Sequence, residues 1–224
     1  MAARKDPIQE STRIGLNLLE QQGWIPTSSE QPSMLDSSKE EINHNDVVGL
    51  DEEGYVTFLN LGSKRLYKGI GCCHAFSYFP RLAILNLGGT DLPLTDLVTI
   101  LDVISSSIQT LYLGGNRLGS DGAQVVATWL RQSTPPKLSR LDLRYNEFAN
   151  EGVTTLCQGL MGHSNNNAIT HLYLEGNQIG DIGADALAKY LCATSTCKIQ
   201  EIVFGCQSNS SGGCYGVGIM SSSE

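Results

Sequence analysis

The chain has 224 residues, 41% of them hydrophobic and 17% charged, enough apolar material for one sizeable core and too much for a disulfide-stapled miniprotein. Its formal net charge of −8, from 15 Lys and Arg against 23 Asp and Glu, has the wrong sign for a protein that neutralises phosphates, so nucleic acid and anionic membrane surfaces are not expected partners. No apolar run approaches the roughly 20 residues that cross a bilayer, and residues 1–25 lack the apolar stretch and cleavage site of a secretory signal. A cytoplasmic location is therefore expected, with the seven cysteines as reduced thiols.

Residues 1–46 read as an acidic arm, because the first 55 residues hold 11 acidic and 4 basic side chains while the remainder holds 12 and 11. Within it Ile8, Ile14, Leu18 and Leu19 predict one amphipathic helix over Ile8–Gln22, stopped by Gly23 and Pro26. Pro26–Asp46 is polar and rich in Ser and Glu, the composition of a flexible linker. Val47–Leu61 reads as a capping hairpin that feeds the first strand of the main domain, with Asp51–Gly54 as its turn. Gly69–His74 shows no clear helix.

From residue 47 to 204 the dominant signal is a repeat. Six segments carry apolar residues at positions 1, 4 and 6, beginning at Val56, Leu82, Ile108, Leu138, Ile169 and Ile199, with spacings of 26, 26, 30, 31 and 30 residues. Asn116, Asn146 and Asn177 stand three residues past the third apolar position in the central units, giving L-x-x-L-x-L-x-x-N. The first two units depart from this, with Lys64 and Thr90 at the Asn position. A buried amide at that turn can satisfy loop N–H and C=O groups of its own and neighbouring units, so a structural role is expected for all three.

Each strand is followed by a helical face. The sets are Leu97, Ile100, Leu101 and Ile104; Ala123, Val126, Ala127 and Leu130; Val153, Leu156, Cys157 and Leu160; and Ala184, Leu187, Ala188 and Leu191. Ser120, Asn150 and Asp181 are placed to cap the last three of these helices. One strand and one helix cannot bury both faces alone, so copies must stack around a continuous core. The expected fold class is α/β: a right-handed leucine-rich-repeat solenoid, its parallel sheet on the concave side and its helices on the convex side. Gly205–Glu224 is a Gly- and Ser-rich tail without helical periodicity, and Ile199–Phe204 is left as an open edge through which a homodimer could form.

The stretches at 114–127 (GGNRLGSDGAQVVA) and 175–188 (EGNQIGDIGADALA) resemble the ribonuclease-inhibitor-like class of leucine-rich repeats. That class includes ribonuclease inhibitor, the repeat domains of NOD-like receptors and Ran GTPase-activating protein. The resemblance covers about residues 82–204 and implies a protein-binding horseshoe, with a GTPase-activating regulator as the alternative. No nucleotide-binding loop accompanies it, and Arg65, Arg81 and Arg117 match no catalytic motif of that family.

No catalytic constellation is expected. His44, His74, His163 and His171 are scattered, and no spaced base and orienter accompanies a nucleophile. Cys192, Cys197, Cys206 and Cys214 are separated by 5, 9 and 8 residues, unlike paired zinc knuckles, so neither metal nor cofactor is expected. Cys157 reads as a small buried hydrophobe, and the vicinal Cys72 and Cys73 have only Lys68 and His74 nearby to lower a thiol pKa. The non-apolar strand positions carry more information. Tyr112, Arg140, Asp142, Arg144, Tyr145, His171, Tyr173 and Glu175 are expected on the inner face. Tyr and Arg concentrate at the energetic centres of protein interfaces, which points to a non-enzymatic module that binds a protein or peptide there.

Overall fold

The computed structural model describes residues 9–25, 47–64, 70–104, 106–131, 137–161, 168–193 and 198–205. The sequence expectations for His44, His163, Arg65, Lys68, Cys197, Cys206, Cys214, the linker and the tail lie outside these residues.

Seven strands form one sheet in chain order: β1 (Val48–Leu50), β2 (Val56–Asn60), β3 (Ile84–Asn86), β4 (Thr110–Tyr112), β5 (Arg140–Asp142), β6 (His171–Tyr173) and β7 (Glu201–Val203). β1 and β2 are antiparallel, the hairpin closing where Gly54 N–H donates to the Asp51 carbonyl at 3.0 Å. Every later pair is parallel. The central apolar residues of the six units, Leu59, Leu85, Leu111, Leu141, Leu172 and Ile202, sit side by side in register and are fully buried. Burial of each such side chain stabilises the fold by roughly 1.5–3 kcal/mol, and a shift of one residue would turn the whole row outward.

Helices α2 (Leu94–Val103), α3 (Gly119–Leu130), α4 (Ala149–Met161) and α5 (Asp181–Ala193) line the opposite wall. Their first turns hold Asp96, Asp121, Glu151 and Asp181, acidic residues that favour the positive end of the helix dipole. α4 lies very close to α3, since a Cβ on Gly159 would stand 2.7 Å from the Ala127 Cβ. The buried faces of α2, α3 and α4 follow the expected spacing, except that Ile104 is the half-buried C-cap of α2. In α5 they do not: Leu187 is buried, Ala188 is exposed and Ile182 is 69% exposed, because no further helix covers that side among the described residues.

The caps also differ from expectation. Ser120 does not cap α3, whose N-cap is Leu118 and has no side-chain bond. Asn150, inside α4, reaches across to the next unit, where its Oδ1 accepts from the N–H groups of Gly180 and Gly183 at 2.8 and 3.0 Å. The start of α5 is thus capped by its neighbour, which couples the two units.

The amino-terminal end is closed by elements the sequence only partly shows. A 3-10 helix runs over Ile70–Tyr78, where no helix was expected, and buries Cys73, Ala75 and Phe76, with Phe79 just beyond it. Such a helix has three residues per turn, so its apolar residues miss the 3.6 period. Helix α1 (Glu10–Gln21) packs against it through Thr12, Gly15, Leu16 and Leu19, while Ile14 is 39% exposed and Leu18 half-buried. The expected face is rotated because Gly15 admits the Phe79 ring, which a Cβ there would meet at 2.6 Å. Arg81 clamps the hairpin turn, pairing with Asp51 at 2.9 Å and Glu53 at 2.6 Å while standing 4.1 Å over the Tyr55 ring.

The asparagines form a ladder. Asn146 Nδ2 donates to the carbonyls of Leu113 and Leu143 at 3.0 and 3.1 Å, and its Oδ1 accepts from Asn116 N–H at 3.1 Å. Asn177 does the same one unit on, and Asn116 one unit back. Thr90 supplies a shorter rung, its hydroxyl donating to the Leu87 carbonyl at 2.8 Å. All four residues are buried.

Candidate interaction surface

The register aligns the concave side chains in rows. One row runs Phe58, Ile84, Thr110, Arg140, His171 and Glu201; the next runs Asn60, Asn86, Tyr112, Asp142, Tyr173 and Val203. Two residues further along β2 to β6 stand Gly62, Gly88, Gly114, Arg144 and Glu175. There the backbone ladder continues past the strands, with Ser63, Gly89, Gly115 and Tyr145 N–H donating to the carbonyls of Gly88, Gly114, Arg144 and Glu175 at 2.7 to 2.8 Å.

Seven of the eight candidate residues from the sequence therefore stand together on this wall. Arg144 is fixed from below by Asp142: Nε donates to both carboxylate oxygens at 3.0 and 3.1 Å and Nη2 to Oδ2 at 2.6 Å. It also lies 3.7 Å from Glu175 and 5.5 Å from the Tyr173 ring centroid. The Asp142 hydrogen bonds, outweighing burial, hold the guanidinium pKa above its usual value. Asp142 itself is 4% exposed, so its part is to hold Arg144. Tyr173 donates its hydroxyl to Glu201 at 3.0 Å, and burial together with that bond raises its pKa. His171 lies 3.8 Å from the same carboxylate and 2.7 Å from the Thr170 hydroxyl. The eighth, Tyr145, lies past the end of β5 at φ 53°, 63% exposed, with its ring resting where a Cβ on Gly176 would stand.

A groove of about 630 Å³ opens on this wall, from Phe58, Asn60 and Gly62 across Gly88 and Gly114 to Tyr112, Arg144 and Tyr145. The sequence candidates mark only its charged end. Glu201 and the Asn60–Asn86 pair, joined at 3.0 Å, were missed, although they occupy the strand positions that flagged His171 and Tyr173. Glycines carry no side chain to flag.

The cysteines lie elsewhere. Burial raises the Cys157 thiol to about 12, and burial with the nearby Asp96 carboxylate does the same for Cys73, so both resist ionisation. Among the described residues no three His, Cys, Asp or Glu side chains gather as metal ligands, and no helix is long and apolar enough to cross a membrane. Of the arginines considered for GTPase activation, Arg81 is occupied by the hairpin and Arg117 is exposed at φ 53° in the β4–α3 turn.

A family model described as Leucine Rich repeat matches residues 105–127, 134–157 and 165–188. The chain is 29% identical over 135 residues to NACHT, LRR and PYD domains-containing protein 3 of Bos taurus, covering 59% of this chain and 12% of that protein. It is 35% identical over 131 residues to Tonsoku-like protein of Bos taurus, covering 56% of this chain and 9% of that one. Among solved structures it is similar to the leucine-rich repeat-containing protein LegL7 from Legionella pneumophila, at 20% identity and a TM-score of 0.43, covering 79% of this chain and 63% of that one. The chain thus spans about a tenth of the length of these two curated relatives. The three matched stretches fall on three consecutive strand–helix units of a single sheet, and the chain is a leucine-rich repeat protein.

Proposed function

We propose that the chain is a non-enzymatic interaction module that holds a protein or peptide partner against its concave wall. The observation that carries this reading is the hydrogen bonding that holds the charged end in one arrangement. Arg144 is held by three hydrogen bonds to a buried carboxylate and stands over Tyr173, which is tied in turn to Glu201. A side chain ordered before binding loses little entropy on binding, so its contacts count almost whole in the affinity. Tyr112, Tyr145 and Tyr173 supply broad aromatic contact, and Arg140, His171, Glu175 and the Arg144 that Asp142 holds supply a mixed-charge pattern that selects orientation.

The test is selection of peptides from a displayed library on the full chain, followed by affinity measurement on wild type, Tyr112→Ala, Arg144→Ala and Tyr173→Ala. At least one substitution at this centre weakens binding tenfold or more. Equal affinity across all four proteins removes the concave wall as the site.

A further inference from the structure

The concave wall is divided electrostatically along the array. The first three units present no charged side chain in any of the three rows, whereas the last three present Arg140, Asp142, Arg144, Glu175 and Glu201, and His171 beside them. The uncharged half is also the flat half. Gly62, Gly88 and Gly114 recur at one position in three successive units, and side chains there would crowd the wall: a Cβ on Gly62 would meet Asn86 Nδ2 at 2.8 Å and one on Gly114 would meet Asp142 Oδ1 at 3.1 Å.

The same floor holds a free donor. Gly62, Gly88 and Arg144 each give their N–H to the side-chain oxygen two residues back, on Asn60, Asn86 and Asp142, at 2.9 to 3.1 Å. In the intervening unit Tyr112 occupies that place, and the Gly114 N–H finds no acceptor among the described residues. A backbone donor at the centre of a groove is matched by a backbone carbonyl of an extended segment.

We propose that this groove takes an uncharged, extended stretch of a protein partner, running across the strands from β2 to β5 with one carbonyl on Gly114 N–H. The proposal rests on the concave-wall reading above and adds the chemistry of the occupant. Three inter-strand steps of about 4.8 Å make about 14 Å, which about four extended residues span. A charged residue within that stretch would lose water without gaining a counter-charge, since the only ions lining the groove among the described residues, Asp142 and Arg144, already satisfy each other. The charged residues of the partner belong beyond the stretch, over β6 and β7.

Ser63, exposed on the rim of the groove at φ 60°, allows the reading to be switched. The full chain, Ser63→Asp and Ser63→Asn are each used to select from one random decapeptide library. Wild type and Ser63→Asn are expected to return peptides with four consecutive positions depleted of Asp, Glu, Lys and Arg, and a charge placed at any of those positions weakens binding at least tenfold. Ser63→Asp is expected to gain Lys or Arg at one of them. Selected peptides without the depletion, and unchanged in Ser63→Asp, overturn this inference while leaving the concave-wall reading standing. Failure of these three proteins and of the Val217→Asp variant described next to select any peptide overturns both. A fourth arm, Val217→Asp, addresses the chain's own uncharged carboxy-terminal stretch: if this variant selects peptides and wild type does not, that stretch is the occupant and the partner assignment is overturned.

Discussion

Replacing Asn146 by Ala removes the middle rung of the amide ladder and nothing else in the core. The amide donates to the carbonyls of Leu113 and Leu143, with a longer bond to that of Arg144 at 3.3 Å, and accepts from Asn116 N–H, with a longer contact from Leu118 N–H at 3.4 Å. The Leu113 and Leu143 carbonyls each keep a partner, because Asn116 Nδ2 and Asn177 Nδ2 also reach them at 2.8 Å. Asn116 N–H keeps none, in a residue 5% exposed. The orphaned Asn116 donor costs about 1–3 kcal/mol, and the loss of the longer Leu118 N–H contact together with bonds to groups that retain a partner adds about 1, giving about 2–4 kcal/mol. That is a large share of the roughly 5–15 kcal/mol that holds a domain of ordinary stability. Thr90→Ala is the internal comparison. The Leu87 carbonyl keeps Asn116 Nδ2 at 2.8 Å and the Thr90 N–H keeps Asn116 Oδ1 at 3.0 Å, so nothing is orphaned and about 1 kcal/mol is expected. Urea denaturation followed by far-UV circular dichroism reads both. A loss under about 0.5 kcal/mol for Asn146→Ala, or one no larger than for Thr90→Ala, refutes the ladder as a source of stability.

Gly159→Ala, which on an open helix would gain about 1 kcal/mol, is expected instead to lower stability by about 1–2 kcal/mol in the same assay, because its methyl would stand 2.7 Å from the Ala127 Cβ. Alkylation of the native protein at pH 8 followed by mass spectrometry is expected to modify exposed Cys192 and to spare Cys157 and Cys73, whose thiols burial raises to about 12. For Asp51, burial opposes ionisation, yet hydrogen bonds from Tyr55 N–H, Arg81 and Glu53 N–H carry its pKa below the usual carboxylate value. A depressed folded-state pKa gives stability that is present above the unfolded value and lost as pH falls through the folded one. Asp51→Asn should therefore lower the melting temperature at pH 7 and narrow its gap to wild type as the pH falls below about 4.

The spacing of the apolar triplets made the sheet legible, since the parallel register follows once Leu59, Leu85, Leu111, Leu141, Leu172 and Ile202 are taken as one row. The ends were harder to read because there the packing partner is not another repeat. Gly15 is buried by an aromatic ring that it alone could admit, and Ala188 is exposed for want of a following helix among the described residues. Asn150 reads as a cap for its own helix and serves the next, a distinction that depends on the stagger between units rather than on local spacing. On the concave wall, Tyr and Arg marked the charged half. The uncharged half is built from Gly and Asn, whose significance comes from recurrence across units.

The most direct test of the concave wall is an amide hydrogen-exchange footprint of the full chain with and without a saturating selected peptide. Slowed exchange confined to the strand ends and following turns of β2 to β6, with Gly114 among the most protected amides, is the predicted result. Protection confined to the convex helices α2 to α5, with the concave amides unchanged, would contradict it.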